Sequence, residues 1–385
     1  MNNDNLTPHI AQNIVQRTMA IINCNINVMD EHGLIIGSGD LERIGELHEG
    51  AILAITQQRV VSIDSATAQT LQGVKPGINL PLKHNLKIVG AIGLTGEPEQ
   101  ITQFGQLVCM SAEMMMEQAQ LLNQLSQDNR LKEELILSLI QSDDLYTHLA
   151  EWGRKLQIDL ELARVVAVLE VDSGQLGITT AMAELQYLQK TVESTLKHSL
   201  VAIQSLNEIV ILMPALNRFK RWDIAEHQLK LENLVNQIKS QNQLDVRIAL
   251  GNFFTQKDKQ IAKSYQTAKT TLLVGKQRSL TKRNYAYQAL ILPVLLHGLS
   301  YNWQAEELLL PLKKLAIADH HGGLQKTLQT WFHHNLHNSQ TAQALFIHRN
   351  TLEYRLHKIA KLTGLNLDKF DDRMLLYIAL QLDKH

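Results

Sequence analysis

Cysteine is nearly absent from this chain of 385 residues: Cys24 and Cys109 are the only two, each in an apolar context. Without a Cys-x-x-Cys pair or zinc-ligand spacing, neither a disulfide scaffold nor a structural zinc module can be built, and the two read as reduced, buried thiols. Also lacking is a segment apolar over the length of a membrane span, or an N-terminal basic stretch leading into an apolar run. The expectation is a soluble, cytoplasmic protein with no membrane partner. Charge of one sign is missing too, since 37 Lys and Arg face 38 Asp and Glu for a formal net charge of -1. A protein coating nucleic acid over its whole surface would be strongly basic, so any DNA contact must come from a local, salt-sensitive patch. No Ser/His/Asp set, phosphate-cradling glycine loop followed by Lys, or well-placed pair of carboxylates stands out. Gly37-Ser-Gly-Asp-Leu-Glu starts like a dinucleotide fingerprint, but Glu42 occupies the place of the third glycine. Enzyme is therefore the weaker class, and no cofactor is expected.

What is present is a globular composition, 45% hydrophobic and 19% charged, long enough for two or three domains. Residues 8–23 read as a helix opened by Pro8. Ile26 to Asp30 and Leu34 to Gly37 form a hairpin around Glu31-His32-Gly33, with glycine where a positive φ is wanted. A polar, glycine-punctuated loop follows, then a helical patch, and Lys87 to Gly96 reads as a central strand. This is an α+β sensor of the PAS or Cache kind, by analogy, over 1–98. Leu107, Met110, Met114, Leu121 and Leu125 give residues 99–142 the roughly heptad spacing of a long signalling or dimerisation helix. The Met110 to Met116 cluster suits an adaptable binding face, and core filling is the simpler account of it. Residues 143–285 hold a second α+β unit, with a buried strand at Arg164 to Val171 and a hairpin turn at Leu206-Asn207-Glu208. A diguanylate-cyclase-like domain would carry two glycines and paired acids at that turn. Here the glycines are missing and one acid remains, so a copy of that fold would be degenerate and non-catalytic. Residues 286–385 read as all helix, over 291–299, 304–316, 322–337, 339–345, 349–362 and 371–383.

Within that helical end, residues 339–361 have the pattern of a helix, a tight turn and a second helix, with Ser339 a natural N-cap. Leu352, Leu356 and Ile359 fall on one face, while Asn350, Thr351, Tyr354, Lys358 and Lys361 fall on the other. That outward face suits a major groove, and equally an amphipathic surface helix with a solvated basic side. In the first domain Ser38, Arg43 and His48 lie in one stretch, with Asn79, Lys83 and Thr95 in the strands that would face it. Such a set can hold a carboxylate by charge-assisted bonds, or can be ordinary polar loop residues. His333 and His337, one helical turn apart in this reading, raise zinc. Yet His334 stands where a metalloprotease pattern needs Glu, and a solvated histidine-rich helix is the simpler account.

The run Asn25 to Asp30, Gly37-Ser-Gly-Asp and Arg43-Ile-Gly-Glu-Leu-His-Glu-Gly, continued by Gly77-Ile-Asn-Leu-Pro-Leu and Gly90 to Glu99, resembles the sugar-diacid recognition domain of bacterial carbohydrate-diacid regulators. Leu345-Phe-Ile-His-Arg-Asn-Thr-Leu-Glu-Tyr-Arg-Leu followed by Leu362-Thr-Gly-Leu is similar to the helix-turn-helix of the purine-catabolism-regulator class. The middle unit resembles the degenerate cyclase-like domain found between them. The resemblance implies a transcriptional activator of genes for sugar-diacid uptake and breakdown. Its effector would be glucarate, galactarate or glycerate, and its partners promoter DNA, a second copy or a higher homo-oligomer, and RNA polymerase. It assigns His348, Arg349, Asn350, Thr351 and Tyr354 to the groove, with Arg355 and Lys358 on phosphates. Phe346 departs from the pattern, standing where a turn glycine is common. Two rivals remain: a nucleotide-binding or cyclic-dinucleotide signalling protein using the middle domain, and a metal-responsive repressor using the histidines.

Overall fold

The computed structural model describes residues 6–141, 146–172, 177–241, 245–254, 261–299 and 302–383. The chain divides into two compact units, Met1–Arg130 and Leu131–His385.

In the first unit, α1 (Pro8–Met19) begins with proline at its first turn and Thr7 as N-cap, whose Oγ1 accepts from the Ile10 amide. It stops at Met19, short of the expected 23. The hairpin β1 (Ile26–Asp30) and β2 (Ile35–Ser38) turns through Gly33 at φ +82°, with the Asp30 carboxylate accepting from the His32 and Leu34 amides. Next come α2 (Glu49–Gln57), β3 (Val61–Ile63), the short α3 (Ser65–Ala68), and the antiparallel pair β4 (Gly77–His84) and β5 (Lys87–Thr95). The sheet order is β2-β1-β5-β4-β3, all antiparallel.

Strand alternation sends Ile26, Val28, Ile78, Leu80, Ile92 and Leu94 to one face of this sheet. They are covered there by α1 and by Val108, Ala112 and Met116 of the long helix α4 (Pro98–Gln141). The opposite face carries Met29, Ile35 and Ala91 packed on Ala51 of α2. Helix α4 is one unbroken element as expected, although Ser142 lies outside the described residues. Both cysteines are free, and they are half-buried where full burial was expected.

In the second unit, α5 (Tyr146–Lys155) precedes β6 (Arg164–Val171), α6 (Ile178–Thr195), the hairpin β7 (Leu200–Ser205) and β8 (Glu208–Pro214), α7 (Ile224–Gln241), β9 (Val246–Leu250), α8 (Ile261–Arg278) and β10 (Asn284–Ala286). The order is β10-β9-β6-β8-β7 with β6 central, which explains the uninterrupted Val165-Val-Ala-Val-Leu run: both of its faces are buried. One face packs on α6 and α7, the other on α8 and the last turns of α4.

The helical end comprises α9 (Ile291–His297), α10 (Trp303–Ala318), α11 (Gly323–His333), α12 (Asn338–Ala344), α13 (Arg349–Thr363) and α14 (Phe370–Leu382). The helix expected over 322–337 ends at His333, because Asn335 and Leu336 take positive φ of 51° and 65° and turn the chain. His333 and His337 therefore belong to different elements and are not one helical turn apart. Among the described residues no group of metal-ligating side chains has the geometry to hold an ion. Among the described residues no helix is long and apolar enough to cross a membrane.

Candidate effector site and nucleic-acid interface

Sheet register assembles a polar row on the α2 face of the first unit. Ser38 pairs with Asn27, Asn27 with Gly93, Gly93 with Asn79, and Asn79 with Val61, so these five positions share one face across all five strands. Ser38, Asn27 and Asn79 are buried among apolar neighbours. Ser38 Oγ donates to Asn27 Oδ1 at 2.7 Å and accepts from the Asp40 amide at 3.0 Å, so its hydroxyl is committed within the protein.

Asn79 differs: its Oδ1 is buried and has no hydrogen-bond partner among the described residues. Two glycines flank that amide. A Cβ at Gly93 would stand 2.9 Å from Asn79 Oδ1, and one at Gly50 would stand 2.9 Å from Asn79 Nδ2 and 3.1 Å from the His48 ring. Both glycines let the backbone pack closely on this amide, and a side chain at either position would force a neighbour to shift.

His48 and Arg43 enter from the loop and first turn above this face. His48 caps α2, its Nδ1 accepting from the Ala51 amide at 3.2 Å. Burial, and then the Arg43 guanidinium beside it, push its pKa down to about 4. The ring is therefore neutral at pH 7, and with Nδ1 accepting, the proton sits on Nε2, which is left as a donor. Arg43 is only 7% exposed. Its Nη2 donates to the Gly73 carbonyl, and its Nε lies 3.3 Å from the Glu46 carboxylate. Its Nη1 is buried with no partner among the described residues. A buried guanidinium N–H left open costs on the order of 1–3 kcal/mol or more, a cost that an incoming oxygen would remove.

Of the six residues the sequence suggested, the structure gathers Arg43, His48, Asn79 and Ser38 on this face. Thr95 lies along the same face at the next row, paired with Gly77. Lys83 sits apart: it is exposed, its amide donates to Glu113 of α4, and a register shift separates it from Leu82. Asn27, Gly50 and Gly93 were missed. The available signal was the polar Asn27 between Ile26 and Val28, at a strand position pointing inward.

The middle sheet places Glu208, the one acid left at the β7–β8 turn, directly opposite Glu170 of β6. Each is met by cations or donors of α8. Tyr265 donates to Glu208 at 2.6 Å with Lys269 at 3.6 Å, and Lys276 reaches Glu170 at 2.7 Å. These acids are occupied by the protein's own groups, an arrangement that leaves little free charge for a metal.

The helix-turn-helix is α12 and α13 joined at Leu345 to His348. Ser339 is not the cap of α12; His337 holds the N-cap position, and Asn338 accepts from the Trp331 indole N–H at 2.9 Å. Phe346 takes the left-handed conformation usual for a turn glycine, with φ 54°, and its ring is 96% exposed. His348 caps α13. Leu352, Leu356 and Ile359 are buried against α10, α11 and α14, while Asn350, Thr351, Tyr354, Lys358 and Lys361 face solvent. Arg349 is exposed and paired to Glu353 one turn on, at 2.9 Å. Arg355 is half-buried and donates to Thr327 Oγ1 of α11 at 3.1 Å, which ties α13 to its neighbour.

A sheet domain with a polar buried face, a long helix and a terminal helix-turn-helix define the class of one-chain regulators that couple a sensor to DNA. Comparison with known proteins gives the family. Residues 6–139 match the sugar diacid recognition family, 141–274 the GGDEF-like domain and 324–382 the PucR C-terminal helix-turn-helix domain. The chain is 57% identical over 379 residues to the carbohydrate diacid regulator of Escherichia coli K12, covering 98% of each. It is 37% identical over 383 residues to an uncharacterized protein of Haemophilus influenzae, covering 98% of this chain and 99% of the relative. A 27% identical match over 205 residues joins 52% of it to 47% of the DNA-binding transcriptional activator AdeR of Bacillus subtilis. The chain belongs to the carbohydrate diacid regulator family, a family of regulators and not of enzymes.

Proposed function

We propose that this protein is a cytoplasmic DNA-binding regulator that switches transcription of sugar-diacid catabolism genes when a diacid such as galactarate or glucarate, or glycerate, enters the first unit. The observation that carries the reading is Arg43: a buried guanidinium whose Nη1 has no partner among the described residues, near the neutral His48 and above a sheet face that also holds Asn79. Together they offer a carboxylate one charge-assisted bond and further neutral donors. We read the first unit as a PAS or Cache type sensor, supported by its strand order and by α2 covering the polar face. We read the middle sheet as a degenerate cyclase-like domain, supported by the protein-filled acids. Nucleotide signalling through that domain is the less favoured alternative.

Signalling would run through α4. Its residues 121–130 are exposed on every side, and Leu107, Met110, Met114, Leu121 and Leu125 are all more than half exposed. A bare helix of this kind gains most of its stability from a partner. A second copy of α4, or a higher homo-oligomer, would cover these residues and pair two copies of α13 on promoter DNA. Ligand shifts this arrangement only through different affinities for its two states. Arg349, Asn350, Thr351 and Tyr354 would read bases, with His348 at the cap and Lys358 on a phosphate. Arg355 keeps a phosphate role only by leaving Thr327. RNA polymerase would be the further partner of an activator.

The test is a thermal-shift titration of the full chain with galactarate, glucarate, glycerate and matched monoacids. Binding at about 100 times the dissociation constant stabilises the native state by roughly 2.7 kcal/mol. Absence of a shift with any of the first three would reject the effector assignment.

A further inference from the structure

We propose that α10 is a self-pairing surface, on which a second copy of this chain packs its own α10 in antiparallel order about a two-fold axis at Leu310. Leu312 and Leu315 point into the core of the helical end, where α10 packs on α13 and α14. The opposite side of the helix is bare: Trp303, Leu310 and Ile317 are 70%, 43% and 77% exposed. Spaced by seven, they form one stripe that drifts by about 20° per heptad, as the seam of a left-handed helix pair does. The helix runs unbroken through Pro311, which lies to one side of the stripe.

Exposed apolar side chains mean little when scattered, but the charges beside these three define what covers them. Glu306 and Glu307 lie one turn before Leu310, Lys313 and Lys314 one turn after it, and all four are exposed. None has an opposite charge three or four residues away, so the helix does not pair them internally. At about 100° per residue, Glu307 and Lys314 flank the stripe on one side, Glu306 and Lys313 on the other. A two-fold axis across the helix at Leu310 keeps each residue on its side and reverses the chain direction. It sets Leu310 against Leu310 of the partner subunit, and Trp303 against Ile317 of the partner subunit. The same operation brings Glu307 beside Lys314 of the partner subunit and Glu306 beside Lys313 of the partner subunit. Parallel pairing in register would stack Glu on Glu and Lys on Lys, so the charges select the antiparallel order. Burial of the three apolar side chains drives the contact, since exposed ion pairs contribute little by themselves. This surface is separate from α4. Because α10 packs on α13, pairing it relates two recognition helices by the two-fold symmetry of a palindromic operator.

The experiment is thiol crosslinking of the full-length protein with a short bismaleimide, Cys24 and Cys109 being replaced by Ser. Leu310→Cys should crosslink to a dimer, because that position faces itself. Trp303→Cys should crosslink only when co-expressed with Ile317→Cys, since the two copies of position 303 stand about 21 Å apart along the axis. In the Leu310→Cys protein, Glu306→Lys with Glu307→Lys should cut the crosslinked fraction by about 10-fold, and so should Lys313→Glu with Lys314→Glu. Co-expression of the two reversed variants should restore it as a heterodimer, which also shows that both are folded. A Leu310→Cys protein that stays uncrosslinked overturns the proposal. So does self-crosslinking of Trp303→Cys, which means a parallel pair. A crosslinked fraction that charge reversal leaves unchanged, or that co-expression fails to restore, overturns it as well.

Discussion

Lowering the pH should weaken the first unit through His48. Its pKa is held at about 4 in the fold against an ordinary value of 6.5, so between those values the unfolded chain binds a proton that the native state refuses. Stability is therefore full above pH 6.5 and is lost progressively as the pH falls toward 4. At 1.36 kcal/mol per unit the loss at pH 5 is about 2 kcal/mol, enough to be seen above other titrations. Those other groups cancel in a comparison with His48→Asn, whose amide oxygen can cap α2 where Nδ1 does now and does not titrate. All four Trp and all eight Tyr lie beyond residue 145, so fluorescence would follow the wrong unit. The assay is hydrogen exchange of the β1, β4 and β5 amides of the full chain at pH 7.5 and pH 5, corrected for intrinsic rates. Wild type should lose about 2 kcal/mol more than His48→Asn. An equal loss in both would refute the burial argument, and so would an imidazole that titrates near 6.5 by NMR.

Three further outcomes follow from the helical parts. Arg349→Ala should weaken promoter binding by about 1–3 kcal/mol in a mobility-shift assay if the guanidinium leaves Glu353 for a guanine, and unchanged binding removes it from the reading set. Phe346→Gly should raise stability by about 0.5–1 kcal/mol, because relieving a left-handed non-glycine residue gains ~1–2 kcal/mol and added chain entropy takes back part of it. A fall in the denaturation midpoint would mean that the exposed ring packs somewhere. Leu121→Glu combined with Leu125→Glu should shift the sedimentation coefficient toward the monomer with the circular dichroism of the folded units retained, whereas an unchanged oligomer would exclude this stretch of α4 from the interface.

The sequence by itself determined the element types and the buried faces, because these follow from local period. The 3.6 repeat of Leu352, Leu356 and Ile359 points one way along α13 whatever surrounds it, and all three are buried. The hairpin at Gly33 and the unbroken run of α4 were equally local, and family motifs at both ends of the chain named the regulator class. Helix ends were less legible: Asn335 and Leu336 turn the chain by adopting positive φ, which Asn tolerates and Leu does not, so at Leu336 the choice was made by packing. Phe346 does the same at the central turn.

Only the tertiary structure decided which residues share the polar face proposed for the effector. Asn27, Gly93 and Asn79 are far apart in sequence and become neighbours solely through strand register, which periodicity within one strand cannot specify. The same register set Lys83 aside, since the shift after Leu82 and the approach of Glu113 turn that end of β4 toward α4. Arg355 looked like one more cation on a basic helix, and it is Thr327, 28 residues earlier, that makes it a strut within the domain. Side-chain charge is written in the sequence, but whether a charge is open to a ligand depends on which groups the fold has already brought to it.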